Sequence, residues 1–134
     1  TEGAGTYALN TGAHAEGYQT IAYGVYSHAG GRSTIASGSY QTVIGEHNKH
    51  NNTSSVFVVG TGLVGASDAY RRDSLIIQKY DYSTFTPGYT YGGHIIMPHV
   101  AASCNFANDA AAALAGVPLG GIYHTNGTLK IRLV

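Results

Sequence analysis

A motif that repeats every seven residues runs through the first 45 residues and restricts the fold more than any other feature. In each unit a glycine lies two positions after a small residue, at Ala15 and Gly17, Ala22 and Gly24, Ala29 and Gly31, Ala36 and Gly38, and Val43 and Gly45. The period doubles to fourteen on closer comparison, with matched pairs at His14 and His28, Thr20 and Thr34, Ile21 and Ile35, and Tyr26 and Tyr40. The chain must therefore place equivalent residues at the same point of successive fourteen-residue units.

Three kinds of repetitive structure compete to explain the seven-residue period, and they differ in what they demand of glycine. A coiled coil needs large apolar residues at its seam, and each glycine inside a helix costs about 1 kcal/mol. Collagen needs glycine at every third position, which this sequence lacks. A parallel β-roll uses short strands whose side chains alternate inward and outward, with glycine at corners of positive φ. The repeat therefore predicts a β-roll over residues 1–47, with the alanines, Ile21 and Ile35 pointing inward.

The predicted roll has a thin core. Coils lined by alanine, threonine and single isoleucines bury little apolar surface, and repeat architectures need neighbours and caps to be stable. Identical chains that associate around a three-fold axis would supply both and would cover exposed strand edges. We therefore expect a homotrimer.

The repeats also resemble a known family. The stretch GAHAEGYQTIAYGVYSHAGGRSTIASG, residues 12–38, is similar to the head repeats of trimeric autotransporter adhesins and more similar still to the HAEG repeats of phage tail fibres. The resemblance implies a left-handed parallel β-roll that trimerises and carries no catalytic residue in the roll. Gly30 departs from the pattern, because the repeat usually has glutamate at this position.

Residues 48–134 are predicted to form a small β-rich fibre or knob region. Apolar runs at 56–59 and 75–80 indicate strands, and residues 46–54 form a polar linker. An alanine-rich segment at 105–115 predicts one short helix, capped by Asn105 or Asn108 and ended by Gly116. Residues 121–134 predict a terminal hairpin with a type I′ turn at Asn126 and Gly127.

The last twenty residues, AGVPLGGIYHTNGTLKIRLV, resemble the ending of many phage virion proteins. An adhesin should continue into a coiled-coil stalk and membrane anchor, so a chain that stops after a hairpin favours a virion. The expected function is a non-catalytic trimeric fibre of a bacteriophage virion, in a tail or capsid fibre, serving as spacer and host-receptor attachment segment. Its expected partners are its own copies, upstream virion proteins and a host surface glycan or protein. The alternative is the head of a bacterial trimeric surface adhesin or an extracellular filament subunit.

One glycine motif invites a different function. Gly60, Gly62 and Gly65 follow an apolar strand with the spacing of a dinucleotide-binding fingerprint, and Asp81 lies about twenty residues further on. That site requires a helix that begins at Gly62 and crosses back over a sheet. Residues 66–74 are too few and lack a helical apolar stripe, so a strand that leaves through a glycine turn is the favoured interpretation.

Histidine and glutamate pairs could carry chemistry on the roll. His14 and His28 lie one coil apart, and a trimer would arrange each in a ring of three, which makes them weak candidates for metal binding. Histidines stacked along the roll are the favoured interpretation. Glu2 and Glu16 repeat at about 5 Å, the separation found in retaining glycosidases. Equivalent positions on an open face cannot give an acid and a nucleophile different pKa values, so we expect no enzyme and no cofactor.

Composition limits the remaining functions. Seven basic and seven acidic residues cancel, which gives no electrostatic footprint for nucleic acid. No apolar run reaches the roughly 18 residues of a membrane-spanning helix, and Cys104 has no second cysteine for a disulfide. Tyrosine is abundant and suits sugar faces and interfaces. The candidate receptor contacts are the tyrosines that crowd the middle of the chain, Tyr80, Tyr82, Tyr89 and Tyr91.

Overall fold

The computed structural model describes residues 1–64, 68–79 and 94–134. The chain divides into two compact units, Thr1–Ile96 and Met97–Val134. It is mostly β, with a β-solenoid of about four turns and two short α-helices. The first unit continues beyond residue 47, where the predicted repeat segment ends, because later strands join the same sheet.

The first unit contains short strands and one 3₁₀ turn at Asp68–Tyr70. The strands are β1 Glu2–Ala4, β2 Tyr7–Ala8, β3 His14–Tyr18, β4 Ile21–Ala22, β5 His28–Arg32, β6 Ile35–Ala36, β7 Thr42–Glu46, β8 Ser55–Thr61, β9 Asp73–Gln78 and β10 Ile95–Ile96. They form a long sheet in the order β1-β3-β5-β7-β8-β9-β10 and a smaller one in the order β2-β4-β6. Each of the first three coils therefore contributes one strand to each sheet.

The strand register confirms the fourteen-residue coil. His14 pairs with His28 in parallel β3 and β5, and Ile21 pairs with Ile35 in β4 and β6. The step lengthens to fifteen residues between β7 and β8, where Thr42 pairs with Phe57. Strand β9 then reverses direction and closes the roll as an antiparallel neighbour of β8.

The core of the roll is narrow and lined by small side chains. The fully buried apolar residues are Ala15, Ala22, Ala29, Ala36, Val43 and Val58. Buried polar residues share the interior, and Thr20, Ser27 and Thr34 each donate a hydrogen bond from the hydroxyl to a backbone carbonyl. The interior is therefore partly polar and satisfied by its own backbone.

The expected inward position of Ile21 and Ile35 needs correction. Both side chains are only half-buried, and Ile21 lies between Thr20 and Ala22, which are fully buried. Successive side chains of a strand point to opposite faces. Ile21 and Ile35 therefore lie on the outward face of the smaller sheet.

The glycines of the repeat serve two purposes. Gly17, Gly31 and Gly45 have φ values of +103°, +106° and +97°, and an added Cβ would overlap the carbonyl oxygen of the equivalent glycine in the next coil. Gly24 and Gly38 do not have positive φ, and Gly24 is required because a Cβ there would overlap the backbone of Gly38. The prediction that these glycines form the corners is thus only partly correct.

Most corners of the roll carry residues other than glycine in left-handed conformations. One column of corners is formed by Gly5, Gln19, Ser33 and His47, and another by Gly12, Tyr26 and Tyr40. Glycine is consequently needed for close approach between coils more than for turning the chain.

The second unit holds two helices and a hairpin. They are α1 Pro98–Ser103, α2 Asp109–Leu114, β11 Ile122–Thr125 and β12 Thr128–Ile131. Asn108 caps α2, since its Oδ1 accepts a hydrogen bond from the Ala111 N–H at 2.9 Å. The predicted helix at 105–115 is too long, because Asn105 and Phe106 pair with the backbone of His124 instead.

The predicted hairpin is confirmed, and its turn residues Asn126 and Gly127 have φ values of +47° and +88°. Helix α1 was not predicted, and the expectation of a single helix is wrong. Cys104, Ala112 and Tyr123 form the core of this unit. Neither helix, nor any other helix in the described ranges, is long and apolar enough to cross a membrane.

Candidate functional site

The outward face of the long sheet collects the side chains that alternate with the buried core residues. Its character changes along the stack, because the early strands present polar residues and the later strands present apolar ones.

His14, Glu16 and His28 form a cluster at the polar end, which we call the His–Glu–His cluster. The two imidazole rings meet edge to face with centroids 5.0 Å apart. His28 Nε2 lies 3.3 Å from Glu16 Oε1. One donor atom from each of the three residues lies within 4.8 Å of the others. The structure thus brings together His14 and His28, the two weak candidates for metal binding, and adds the carboxylate of Glu16.

Gly30 leaves the space in which this cluster sits. It is the partner of Glu16 in the next coil, at the position where the repeat usually has glutamate. A Cβ at Gly30 would lie 3.1 Å from His28 Nε2 and 3.2 Å from Glu16 Oε1. The departure from the repeat therefore opens room between a nitrogen donor and an oxygen donor.

The opposite end of the same sheet presents an apolar face. Register places Ile44 beside Val59, Val59 beside Leu75, and Ile77 between Phe57 and Ile95. We define the apolar face as Ile44, Phe57, Val59, Leu75, Ile77 and Ile95. Ile44 is 40% exposed and Ile95 is 69% exposed, and the other four are half-buried. Such a surface indicates an interaction site more than a catalytic one.

Exposed tyrosines line other columns of the roll. The rings of Tyr26 and Tyr40 stack with centroids 5.7 Å apart, and both are more than half exposed. Tyr7, Tyr18 and Tyr23 are exposed as well. The predicted receptor contacts Tyr80, Tyr82, Tyr89 and Tyr91 lie outside the described residues, so that assignment stays a prediction.

A group of polar side chains caps the last coil, and sequence reasoning missed it. Asn48 Oδ1 accepts a hydrogen bond from the Ile35 N–H at 2.7 Å, and its Nδ2 donates to the Ile35 carbonyl at 3.0 Å. The side-chain amide thus replaces the strand that would pair with β6. Asn48 lies fourteen residues after Thr34. The period of the repeat could therefore have indicated this residue within the segment that was predicted to be a linker.

Two charged residues complete the cap. Asp73 is buried and its Oδ1 accepts a hydrogen bond from the Lys49 N–H at 2.9 Å. Burial raises the pKa of Asp73 despite this hydrogen bond and the nearby Lys49 charge. Arg71 donates to the carbonyls of Ser33 and Asn48 at 2.9 and 3.1 Å. The cap therefore satisfies backbone groups that further coils would otherwise pair.

The remaining sequence candidates do not assemble into catalytic sites in the described residues. Strand β8 continues through Gly60 to Thr61, and residues 62–64 are not helical, which removes the helix that dinucleotide binding requires. Gly65 lies outside the described ranges. Glu2 and Glu16 are paired in register on an open face, and Glu2 is exposed to solvent.

Comparison of the chain with protein-family models, with curated proteins and with solved structures gives no match. The likeness of residues 12–38 to fibre repeats, and that of residues 115–134 to the ending of phage virion proteins, therefore stay resemblances.

Proposed function

We propose that this chain is a non-catalytic, trimeric structural segment of a bacteriophage fibre that acts as a spacer and as a host-attachment segment. The observation that supports it best is the combination of a narrow alanine core with an apolar outward face. A roll with so small a core buries most of its remaining apolar surface by associating with copies of itself.

The energetic argument concerns how little apolar surface the roll buries alone. Six small side chains form its apolar core, and burial contributes about 25 cal/mol per Å² of apolar surface. The apolar face adds six more apolar side chains, five of them larger than valine, that self-association can remove from water. A three-fold arrangement places one such face from each chain around a common axis, in line with the resemblance of the repeats.

The repeated outward surface of the described part of the roll supports a structural role. Its outward residues project from short strands into solvent, and repeated positions have repeated environments. Catalytic groups need different environments to adopt different pKa values. A stack of equivalent coils is better suited to setting a length than to reacting with a substrate.

The attachment role can be tested with bacterial surface polysaccharides immobilised on an array. We expect the wild-type chain to bind a subset of them without shortening any chain, and the joint Tyr80→Ala, Tyr82→Ala, Tyr89→Ala and Tyr91→Ala variant to lose at least about ten-fold in affinity, as for aromatic contact residues. Tyr18→Ala, an exposed tyrosine on the roll, is the matched control. Cleavage of a bound polysaccharide would contradict a non-catalytic fibre, and the absence of any binding would remove the glycan attachment role.

A further inference from the structure

We propose that His14, Glu16 and His28 form a binding site for a divalent transition-metal ion such as Zn²⁺ within a single chain. The site would lie at the polar end of the long sheet and would join two successive coils of the roll. This inference is independent of the trimer and of the proposed fibre function.

The backbone register places the three donors together. His14 and His28 are direct partners in parallel strands, and Glu16 lies on the same face as His14 because side chains at positions i and i+2 of a strand share a face. Their donor atoms already lie within 4.8 Å of one another. Zinc bonds of about 2.0–2.2 Å place tetrahedral ligand atoms about 3.4 Å apart. Glu16 and His28 are partly exposed, so side-chain rotation can close this difference.

His28 has a nitrogen that lacks a suitable partner. Its Nε2 atom is buried and forms no hydrogen bond of good geometry with the described residues, although Glu16 Oε1 lies 3.3 Å away. A buried polar atom without a hydrogen bond is unfavourable and rare in folded proteins. A metal ion between His28 Nε2 and the Glu16 carboxylate would satisfy both groups.

Gly30 provides the space that an ion needs. A side chain at this position would begin with a Cβ at 3.1 Å from His28 Nε2 and 3.2 Å from Glu16 Oε1. The equivalent residues of the other coils are Glu2, Glu16 and Ile44, which all have side chains. Glycine occurs in this column only where two histidines and a glutamate converge.

The donor set determines which ions can bind. Two imidazole nitrogens and one carboxylate oxygen suit zinc, copper and nickel better than calcium or magnesium, which prefer all-oxygen ligands. Water or a second ligand would complete the coordination. Because the ion would link β3 to β5 only in the folded chain, its binding would stabilise the roll by mass action.

Calorimetric titration of the full chain with Zn²⁺ tests the site. We expect one ion per chain, with affinity reduced at least about ten-fold in His28→Gln and in Glu16→Gln, since each removes a direct ligand. Glu2→Gln changes the equivalent position one coil earlier, and His99→Ala removes an exposed histidine of α1; both should keep wild-type affinity. Zn²⁺ should also raise the melting temperature of the wild type and of the controls more than that of Glu16→Gln.

Three results would overturn the site. They are no Zn²⁺ binding by the wild type, equal affinity of the wild type and Glu16→Gln, or a stoichiometry of one ion per three chains. The last result would indicate a ring of histidines on a trimer axis instead. Circular dichroism of each variant checks its fold, and the near-isosteric Glu16→Gln decides the test if His28→Gln fails to fold. Gly30→Ala should fold and bind Zn²⁺ several-fold more weakly, because its Cβ enters the space between the donors.

Discussion

At the scale of single residues, the roll depends on positions where a side chain has no room. Gly17 combines a φ of +103° with a backbone that would overlap an added Cβ. Gly5 also has positive φ, at +67°, but its added Cβ would only touch Gln19 Cγ at 3.4 Å. Substitutions at these two glycines therefore distinguish the free-energy cost of a left-handed conformation from that of a steric clash.

We expect Gly17→Ala to destabilise the roll far more than Gly5→Ala. The left-handed conformation costs an L-residue about 1–2 kcal/mol at either position, while the overlap between coils at Gly17 should bring the total loss to about 4 kcal/mol or more. Chemical denaturation of both variants measures the difference in the free energy of unfolding. Similar losses at the two positions would show that successive coils are not in close backbone contact.

A second residue-scale prediction concerns the carboxylate of Asp109 in the second unit. It accepts hydrogen bonds from the Tyr123 hydroxyl at 2.5 Å, the Leu133 N–H at 2.8 Å and the Val134 N–H at 3.3 Å. The Tyr123 hydrogen bond, followed by the backbone ones, lowers the pKa of Asp109 below its ordinary value of 3.8.

A carboxyl group whose pKa is lowered by folding stabilises the folded state above its unfolded pKa, and the contribution disappears as pH falls through the folded pKa. We therefore expect the hairpin to weaken as pH falls below about 4. Amide resonances of Leu133 and Val134, followed by NMR against pH, measure this change. Asp109→Asn should flatten the pH response. An unchanged response in that variant would mean that another group controls acid unfolding of the hairpin.

At the scale of elements, the roll needs an end as well as a repeat. Asn48 ends the smaller sheet by presenting its amide to both backbone groups of Ile35. Thr34 and Thr20 occupy the same position in earlier coils, where the backbone of the neighbouring strand forms the equivalent hydrogen bonds. The change from Thr to Asn at this position thus ends the smaller sheet, while β8 still extends the long one.

We expect Asn48→Thr to reduce the stability of the first unit by about 1–3 kcal/mol, the usual cost of leaving buried hydrogen-bonding groups unsatisfied. The substitution restores the residue of the repeat and removes the amide. Asn51→Ala, at an exposed position in the same segment, is the control and should be nearly neutral. Thermal unfolding followed by circular dichroism compares the two. A neutral Asn48→Thr would mean that the amide does not cap the sheet.

The repeat made the coils predictable because equivalent residues report the register directly. The alanines at fourteen-residue spacing lie in the core, and the hairpin follows from Asn126 and Gly127. Other features carry no such signal. Helix α1 has only six residues and buries none of them, so it leaves no periodic apolar pattern long enough to recognise. Asn105 lies outside α2 because it pairs with His124, a contact distant in sequence.

The candidate sites were predictable only in part for a similar reason. The repeat indicated that His14 and His28 are neighbours, but the role of Glu16 depends on the space left by Gly30. The apolar face depends on antiparallel pairing of β8 with β9 and of β9 with β10. That pairing follows no repeat, so the sequence could not bring Ile44, Leu75 and Ile95 onto one surface.

At the scale of the whole molecule, the thin core and the apolar face both lead us to expect self-association. The core of the roll consists of alanine and valine, and larger apolar side chains lie on its outward face. A chain built in this way should be most stable when copies of itself cover that face. Trimerisation is therefore the central claim of the proposed function.

Sedimentation equilibrium of the full chain tests this claim most directly. We expect a mass three times the 14.0 kDa of one chain. Ile44→Lys should shift the mass toward one chain, because a buried unpaired charge is strongly unfavourable. Leu63→Lys, at an exposed leucine outside the apolar face, should keep the wild-type mass. A stable, folded wild-type species of 14.0 kDa at all concentrations would contradict the trimeric fibre.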